Sequence, residues 1–340
     1  MKAIRFHAHG GPEVLCYEDV AEPVAGPGEA VVRVRACALN HLDLWQRRGI
    51  ERVRLPFPHI SGADVAGEVA SAPGGEYAAG SRVMVQPGLS CGRCVACLDG
   101  RDNECPSYDV LGYRSDGGYA EYVKVPIQNL IAIPDAIGFI EAAAFPLAFL
   151  TAWHMLITRA TLRAGEDVLV IGAGSGVGQA AIQIARRHGA RVFATAGSDE
   201  KLARARQLGA YDVVNHTTED VPARIKEFTN GRGVDVVVEH VGTATWDRSL
   251  KCLVRAGRLV TCGATTGHDA KVDLRFLFGR QLSLLGSYMG RKGELLRAAQ
   301  MFFSGDLHSV VDQTYPLAEA AEAHRRLESR QQFGKVVLVA

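Results

Sequence analysis

Two stretches of the chain carry residues whose types and spacing can do chemistry. Residues 91–105 read CGRCVACLDGRDNEC: three cysteines separated by two residues each, and a fourth after seven more. Four thiols crowded into one short loop can converge on a metal ion, and thiolate sets of this kind suit zinc. The second stretch is GAGSGVG at 172–178, between the apolar run DVLVI (167–171) and the Ala-rich segment QAAIQIARRHG that ends at Gly189. Glycines in a strand-to-helix turn let the backbone approach a diphosphate, whose charge then sits on exposed N–H groups at the helix N-terminus. RVFATA (191–196) follows at the spacing of one βαβ unit, which makes a dinucleotide site the expectation, with Gly174, Ser175, Gly176 and Val177 in the loop.

The tip of the next strand selects between dinucleotides. A site built for NAD usually offers Asp or Glu there to the ribose hydroxyls. Here Ala196, Gly197 and Ser198 occupy it, and the first acid, Asp199, falls in the following helix. A 2′-phosphate would not be repelled, and Lys201 is near enough in sequence to help bind one. NADP(H) is therefore the preferred cofactor and NAD(H) a possible one. Ser198 is equally suited to cap a helix over 199–208.

The elements that must position these residues fall into two patterns. Up to about residue 130 the apolar runs are short and β-rich (AVVRVRACAL, SRVMVQPG, GYAEYVKVP), separated by Gly and Pro, as in a small barrel or sandwich. From about 165, apolar strands at 167–171, 191–196, 211–215, 234–240, 257–263 and 281–288 alternate mostly with helix-length segments. That is the pattern of a parallel sheet covered on both faces. After 290 come one amphipathic helix and then AEAAEAHRRLESRQQFGKVVLVA, a helix feeding a last strand.

Composition sets the outer limits. The 340 residues are 47% hydrophobic and 22% charged, enough for a large core, and the net charge of +1 gathers no nucleic acid. The N-terminal MKAIRFHAHGGPEVL lacks a signal-peptide pattern, and no apolar run is long enough to span a membrane. A cytoplasmic protein is the expectation. In that compartment the eight cysteines are ligands or core thiols rather than disulfides, with Cys16, Cys37, Cys252 and Cys262 scattered outside the cluster.

Taken together, the β-rich start, the cysteine lobe, the dinucleotide motif and the closing FGKVVL resemble the medium-chain dehydrogenase/reductase superfamily. The stretches GGPEVL, ALNHLDLWQRRG, GYAEYVKVP, FPLAFLTAW and GKVVL are similar to the quinone-oxidoreductase branch, and the lobe to that of zinc alcohol dehydrogenases. The resemblance implies an α/β protein: a GroES-like catalytic domain from residues 1–148 and 289–340, a doubly wound Rossmann domain from 149–288, and hydride transfer in the cleft. It implies one structural zinc on Cys91, Cys94, Cys97 and Cys105, a closed shell of thiolates with no position left for water or substrate. A zinc ribbon for nucleic acid is the alternative, opposed by the lobe's net negative charge: Arg93 and Arg101 against Asp99, Asp102 and Glu104.

The three ligands of the usual catalytic zinc are all missing. Asn40 stands three before Asp43 where cysteine is expected, Ala63 and Asp64 replace the His-Glu pair, and FPLAFLTAW has no cysteine. Cys37, His41 and Asp64 could improvise a metal site only if one strand carried Cys37 and His41 to the same face. By resemblance, Asn40 and Asp43 line the pocket near the nicotinamide and Thr151 is a pocket residue, although Asn and Asp also serve turns and Thr151 could cap a helix over 151–159. The same resemblance brings Val241, Gly242, Cys262, Gly263, Ser287, Tyr288 and Met289 to the cofactor.

Lacking a metal to polarise a simple ketone, such a site favours acceptors that delocalise incoming charge, quinones or α,β-unsaturated carbonyls. Donors would come from Asn40, His41 or Tyr288. Alcohol or aldehyde dehydrogenation is the second expectation, and a non-catalytic NADPH-binding protein the third. A homodimer or homotetramer paired through strand 281–288 follows from the resemblance; nucleic acid and membrane partners are not expected.

Overall fold

The structure, a computed structural model, describes residues 1–51 and 53–340. The chain forms two compact units, Met1–Leu147 with Arg291–Ala340, and Ala148–Gly290.

The first unit is built on a seven-stranded sheet around the long strand Glu29–Ala38. That strand pairs antiparallel with Lys335–Val339 on one side and Asp64–Ser71 on the other, and its first half also pairs with Tyr122–Pro126. Its buried residues Val32, Val34 and Cys37 pack with Val65, Val69, Val83, Val123 and Leu338 in one core. Ala38 is the common register point, opposite Val337 on one flank and Asp64 on the other. Three neighbouring strands therefore bring Asn40, Asp64 and Lys335 to one end of the sheet. The strand stops at Ala38, and helix His41–Arg48 begins after Asn40. This removes the strand geometry that would have put Cys37 and His41 on one face. The helix start is fixed by a capping box in which the Asp43 carboxylate accepts the Asn40 N–H at 2.7 Å.

In the second unit six parallel strands run in the order Asp212–Asn215, Arg191–Ala196, Asp167–Val170, Val234–Glu239, Leu253–Thr261, Ser283–Gly286. Asp167–Val170 is buried along its whole length, as the continuous apolar run requires. The strand order reverses between Asp167–Val170 and Val234–Glu239, the switch point at which doubly wound sheets bind ligands beyond their strand ends. The strand expected at 257–263 starts earlier, at Leu253, because the chain turns within it at Ala256 (φ 60°) and continues.

The helix expected over 151–159 begins instead at Pro146, a residue suited to a first helical turn, and passes after Trp153 into a π-helix, His154–Arg159. Thr151 is thus inside a helix and caps nothing. Among the described residues no helix is long and apolar enough to cross a membrane.

Candidate functional site

In the second unit the glycine loop has the form the sequence predicts. Gly172 adopts φ 71°, and Ser175 caps helix Gly176–Arg187, its Oγ accepting the Gly178 N–H at 2.8 Å. A Cβ on Gly178 would lie 2.3 Å from the Gly172 carbonyl oxygen, so only glycine lets this helix close on the strand. The Ser175 hydroxyl is also 3.2 Å from His240 Nε2, and burial holds that imidazole below its ordinary pKa.

At the tip of Arg191–Ala196, Gly197 is exposed, and Ser198 caps helix Asp199–Gln207 by accepting the Lys201 N–H. Two residues that the sequence reading passed over belong here. His216 lies 3.2 Å from where a Cβ on Gly197 would stand, and its pKa is lowered by burial and then by the positive charges of Arg248 and Lys201. Three basic side chains therefore share this corner. Asp199, the first acid after the strand tip in sequence, accepts a hydrogen bond from Asn215 Nδ2 at 3.1 Å.

Beyond strand Val234–Glu239, the buried Glu239 carboxylate organises the next loop. One oxygen accepts the N–H groups of Val241 (2.7 Å) and Gly242 (3.2 Å); the other accepts the hydroxyls of Thr245 (2.9 Å) and Ser249 (2.6 Å). Val241 and Gly242 were expected at the cofactor, but Glu239, which holds them, was not singled out. Its signal was an acid directly after the apolar run Val236–Val238. The thiol of Cys262 is pushed up to about 12 by burial and stays protonated at neutral pH. Gly263 sits against the His240 carbonyl, Ser287 N–H bonds Thr261 O at 2.8 Å, Tyr288 is exposed, and Met289 is buried in a left-handed conformation (φ 49°).

In the first unit the structure gathers Asn40, Asp43 and Asp64 around residues that sequence reasoning missed, Tyr119 and Lys335. Asp64 is fully buried; its Oδ1 accepts the Leu147 N–H (2.8 Å), and its Oδ2 accepts Asn40 Nδ2 (3.0 Å) and Lys335 Nζ (2.8 Å). The same ammonium donates to Asn40 Oδ1 at 2.6 Å. Tyr119 O–H donates to Asp43 at 2.9 Å. His41 opens the helix with its ring tilted against Trp45.

Burial pushes the Asp43 carboxyl up to about 6 against hydrogen bonds that favour its anion. Because the folded-state value is raised, the stability it contributes is fully present below the ordinary carboxylate range near 4 and is lost as pH rises through 6. Asp43→Asn, which keeps an acceptor for Asn40 and Tyr119, should flatten a pH-dependent loss of about 3 kcal/mol between pH 4 and 7. Urea denaturation of both proteins across that range checks this; parallel curves would show that Asp43 does not titrate there.

In the cysteine lobe, Sγ–Sγ distances are 3.5 Å (Cys94–Cys97), 3.6 Å (Cys105–Cys91) and 3.9 Å (Cys91–Cys97), and all four sulfurs lie within 4.8 Å of one another. A tetrahedron with Zn–S bonds of about 2.3 Å has edges of about 3.8 Å, so the four thiols fit that ion. Backbone N–H groups of Arg93 and Cys94 lower the Cys91 thiol toward the thiolate a metal requires, while burial and the neighbouring sulfurs raise that of Cys94, so the proton removed from one is held by the other until a cation takes its place. The Asp102 carboxylate ties the lobe to helix Lys292–Phe303 by accepting the Lys292 N–H at 3.0 Å. Among the described residues these cysteines are the one group of three or more metal-ligating side chains that converges; Cys37, His41 and Asp64 do not form another.

A doubly wound sheet with this glycine loop, joined to a β-rich unit carrying a buried polar cluster, defines a nicotinamide-dependent oxidoreductase. Residues 26–135 match the alcohol dehydrogenase GroES-like domain and residues 176–304 the zinc-binding dehydrogenase domain. The chain is 34% identical to a quinone oxidoreductase of Pseudomonas aeruginosa over 99% of both chains, and 32% identical to quinone oxidoreductase 1 of Escherichia coli over 99% of this chain and 98% of that one. Among solved structures it is similar to an NAD-dependent alcohol dehydrogenase (48% identity, TM-score 0.97, all of both chains). It is also similar to a thermostable alcohol dehydrogenase from Pyrobaculum aerophilum (34%, TM-score 0.91, 100% and 99%). The chain belongs to the medium-chain dehydrogenase/reductase superfamily, and it is an NAD(P)-dependent oxidoreductase.

Proposed function

We propose that the protein reduces quinones or α,β-unsaturated carbonyls with NADPH. The observation that carries this reading is the ammonium of Lys335 against Asp64 and Asn40. A cation already neutralises Asp64, the carboxylate that faces Asn40 Nδ2, and a carboxamide stands where a metal-binding thiolate would be needed, so the donor set suits hydrogen bonding to a developing oxyanion better than holding a divalent ion.

When bound, the nicotinamide supplies a hydride from C4. The chain's part is to seat its diphosphate on the N–H groups at Gly174–Val177, to receive its 2′-phosphate among Lys201, His216 and Arg248, and to line its ring with Val241, Gly242 and Cys262. Asn40, with His41 as a further polar group beside it, stabilises the enolate oxygen that forms as the acceptor takes the hydride. A proton from solvent or one of these groups completes the reduction, leaving NADP+ and the saturated carbonyl or hydroquinone.

Assays of NADPH and NADH oxidation with quinones and enones test the reading. Turnover well above background is expected, with kcat/KM favouring NADPH by about tenfold, the worth of one good phosphate contact. Alcohol oxidation is a second reading, favoured by the 48% identity to the NAD-dependent alcohol dehydrogenase structure. Reduction of NAD by simple alcohols, with no enone or quinone turnover, would replace the first reading with it.

The lobe holds one structural zinc, which supplies no Lewis acidity because all four positions are thiolates. Elemental analysis should give about one zinc per chain, and Cys97→Ser should lose it and raise hydrogen exchange across 91–105. Zinc unchanged in Cys97→Ser would remove the metal from this lobe. A second copy of the chain pairs with the edge strand Ser283–Gly286 in a dimer or tetramer. Sedimentation showing a monomer would overturn that assembly.

A further inference from the structure

We infer that Lys335 is a positioning residue for the reduction: it fixes which way the Asn40 carboxamide faces and leaves one Asn40 N–H for the oxygen on which charge develops. The inference rests on the reductase reading above. An ammonium has only donors, so the group facing it must be an acceptor. Lys335 Nζ lies 2.6 Å from Asn40 Oδ1, which turns Nδ2 toward the Asp64 carboxylate, an acceptor-only group, at 3.0 Å. The two charged neighbours thus read opposite ends of one amide and forbid its flipped form. The second Nδ2 hydrogen has the Ala38 carbonyl at 3.5 Å, the outer limit of a hydrogen bond, and this contact yields readily to a closer oxygen.

Charge leads to the same role. Lys335 and Asp64 are 3% and 0% exposed, and the ammonium cancels a carboxylate that would otherwise repel an incoming enolate. Pulling electron density through the amide oxygen also makes the remaining N–H a stronger donor. Stability does not account for the arrangement, since buried ion pairs are commonly matched by apolar side chains of similar volume. The sequence hid the group, because Lys335 is 295 positions from Asn40 and 271 from Asp64.

The test uses the full chain and two variants, Lys335→Met and the double variant Lys335→Met/Asp64→Asn, which removes both charges and so guards against failure to fold. With 1,4-naphthoquinone as acceptor, the double variant should bind NADPH within about threefold of the parent yet lose about a hundredfold in kcat, with little change in KM. In protein labelled with 15N-asparagine, the Asn40 side-chain amide, assigned by its disappearance in Asn40→Asp, should give two proton shifts well displaced from those of a solvated asparagine amide in the parent. In the double variant these should collapse toward solvent-like shifts. A kcat within about threefold of the parent, or a loss that falls on NADPH affinity alone, would make Lys335 a packing residue. If the parent turns over no quinone or enone, the reductase reading fails, and the amide spectrum still decides whether Lys335 orients Asn40. An unchanged amide in the double variant overturns the inference whatever the acceptor.

Discussion

Glu239→Leu is expected to destabilise the second unit by about 4 kcal/mol and to weaken cofactor binding by more than tenfold. The side chain is fully buried, and its two oxygens accept four hydrogen bonds. Leucine fills a similar volume but leaves the N–H groups of Val241 and Gly242 without an acceptor, and backbone donors cannot rotate away. Each buried orphan costs about 1–3 kcal/mol. Glutamine behaves differently. It can turn its oxygen to the backbone pair and its NH2 to the hydroxyls of Thr245 and Ser249, which can rotate to accept, so Glu239→Gln should cost only about 1–2 kcal/mol. Urea denaturation and nicotinamide fluorescence titration of both variants measure this. Equal effects for Leu and Gln would mean that the loop after the strand does not depend on these bonds.

Gly178→Ala should abolish tight cofactor binding although it adds a single methyl group. That methyl would stand 2.3 Å from a backbone oxygen, that of Gly172, which no rotamer change relieves. The helix must move off the strand, and with it the N–H groups meant for the diphosphate. A rise of about a hundredfold or more in the Kd for NADPH is expected, with a loss of stability of about 2 kcal/mol or more. The same change at Gly293 is the control. That residue lies in helix Lys292–Phe303 with nothing within 4 Å of its would-be Cβ, so Gly293→Ala should be neutral or stabilise by up to about 1 kcal/mol. Matching behaviour at the two positions would contradict the packing described for the glycine loop.

The features legible in the sequence were those encoded by neighbours. The parallel sheet was visible because strands buried on both faces are written around short apolar runs, the VLV of DVLV and the VVV of VDVVVE, and the glycine loop because its parts lie within a dozen residues. The lobe was visible for the same reason, its four thiols sitting within fifteen positions. Boundaries shifted where a local rule was outweighed. Thr151 has the type of a cap, but Pro146 starts the helix earlier. The strand expected from Gly257 starts at Leu253 and continues through Ala256, one residue in a left-handed conformation. What stayed hidden was long-range. Asn40 and Asp64 were marked by their place in a family pattern, but the Lys335 that orients them was an unremarked cation before an apolar strand. The Glu239 carboxylate was invisible as an organiser because its role depends on hydroxyls and N–H groups that only the turn after the strand brings together.

The way the first unit is divided along the chain has a consequence for how the protein is made. Residues 148–290 are continuous and can fold as soon as they leave the ribosome. The sheet of the other unit cannot be completed then, since residues 36–38 of its long strand wait for residues 337–339, synthesised about 300 positions later. Until then Asp64 has no ammonium to meet, and a translation product stopped short of Lys335 would carry a well-formed dinucleotide fold beside an open, apolar sheet edge. Such a fragment would be caught by chaperones and proteases rather than released as a cofactor-binding protein without a reaction to run.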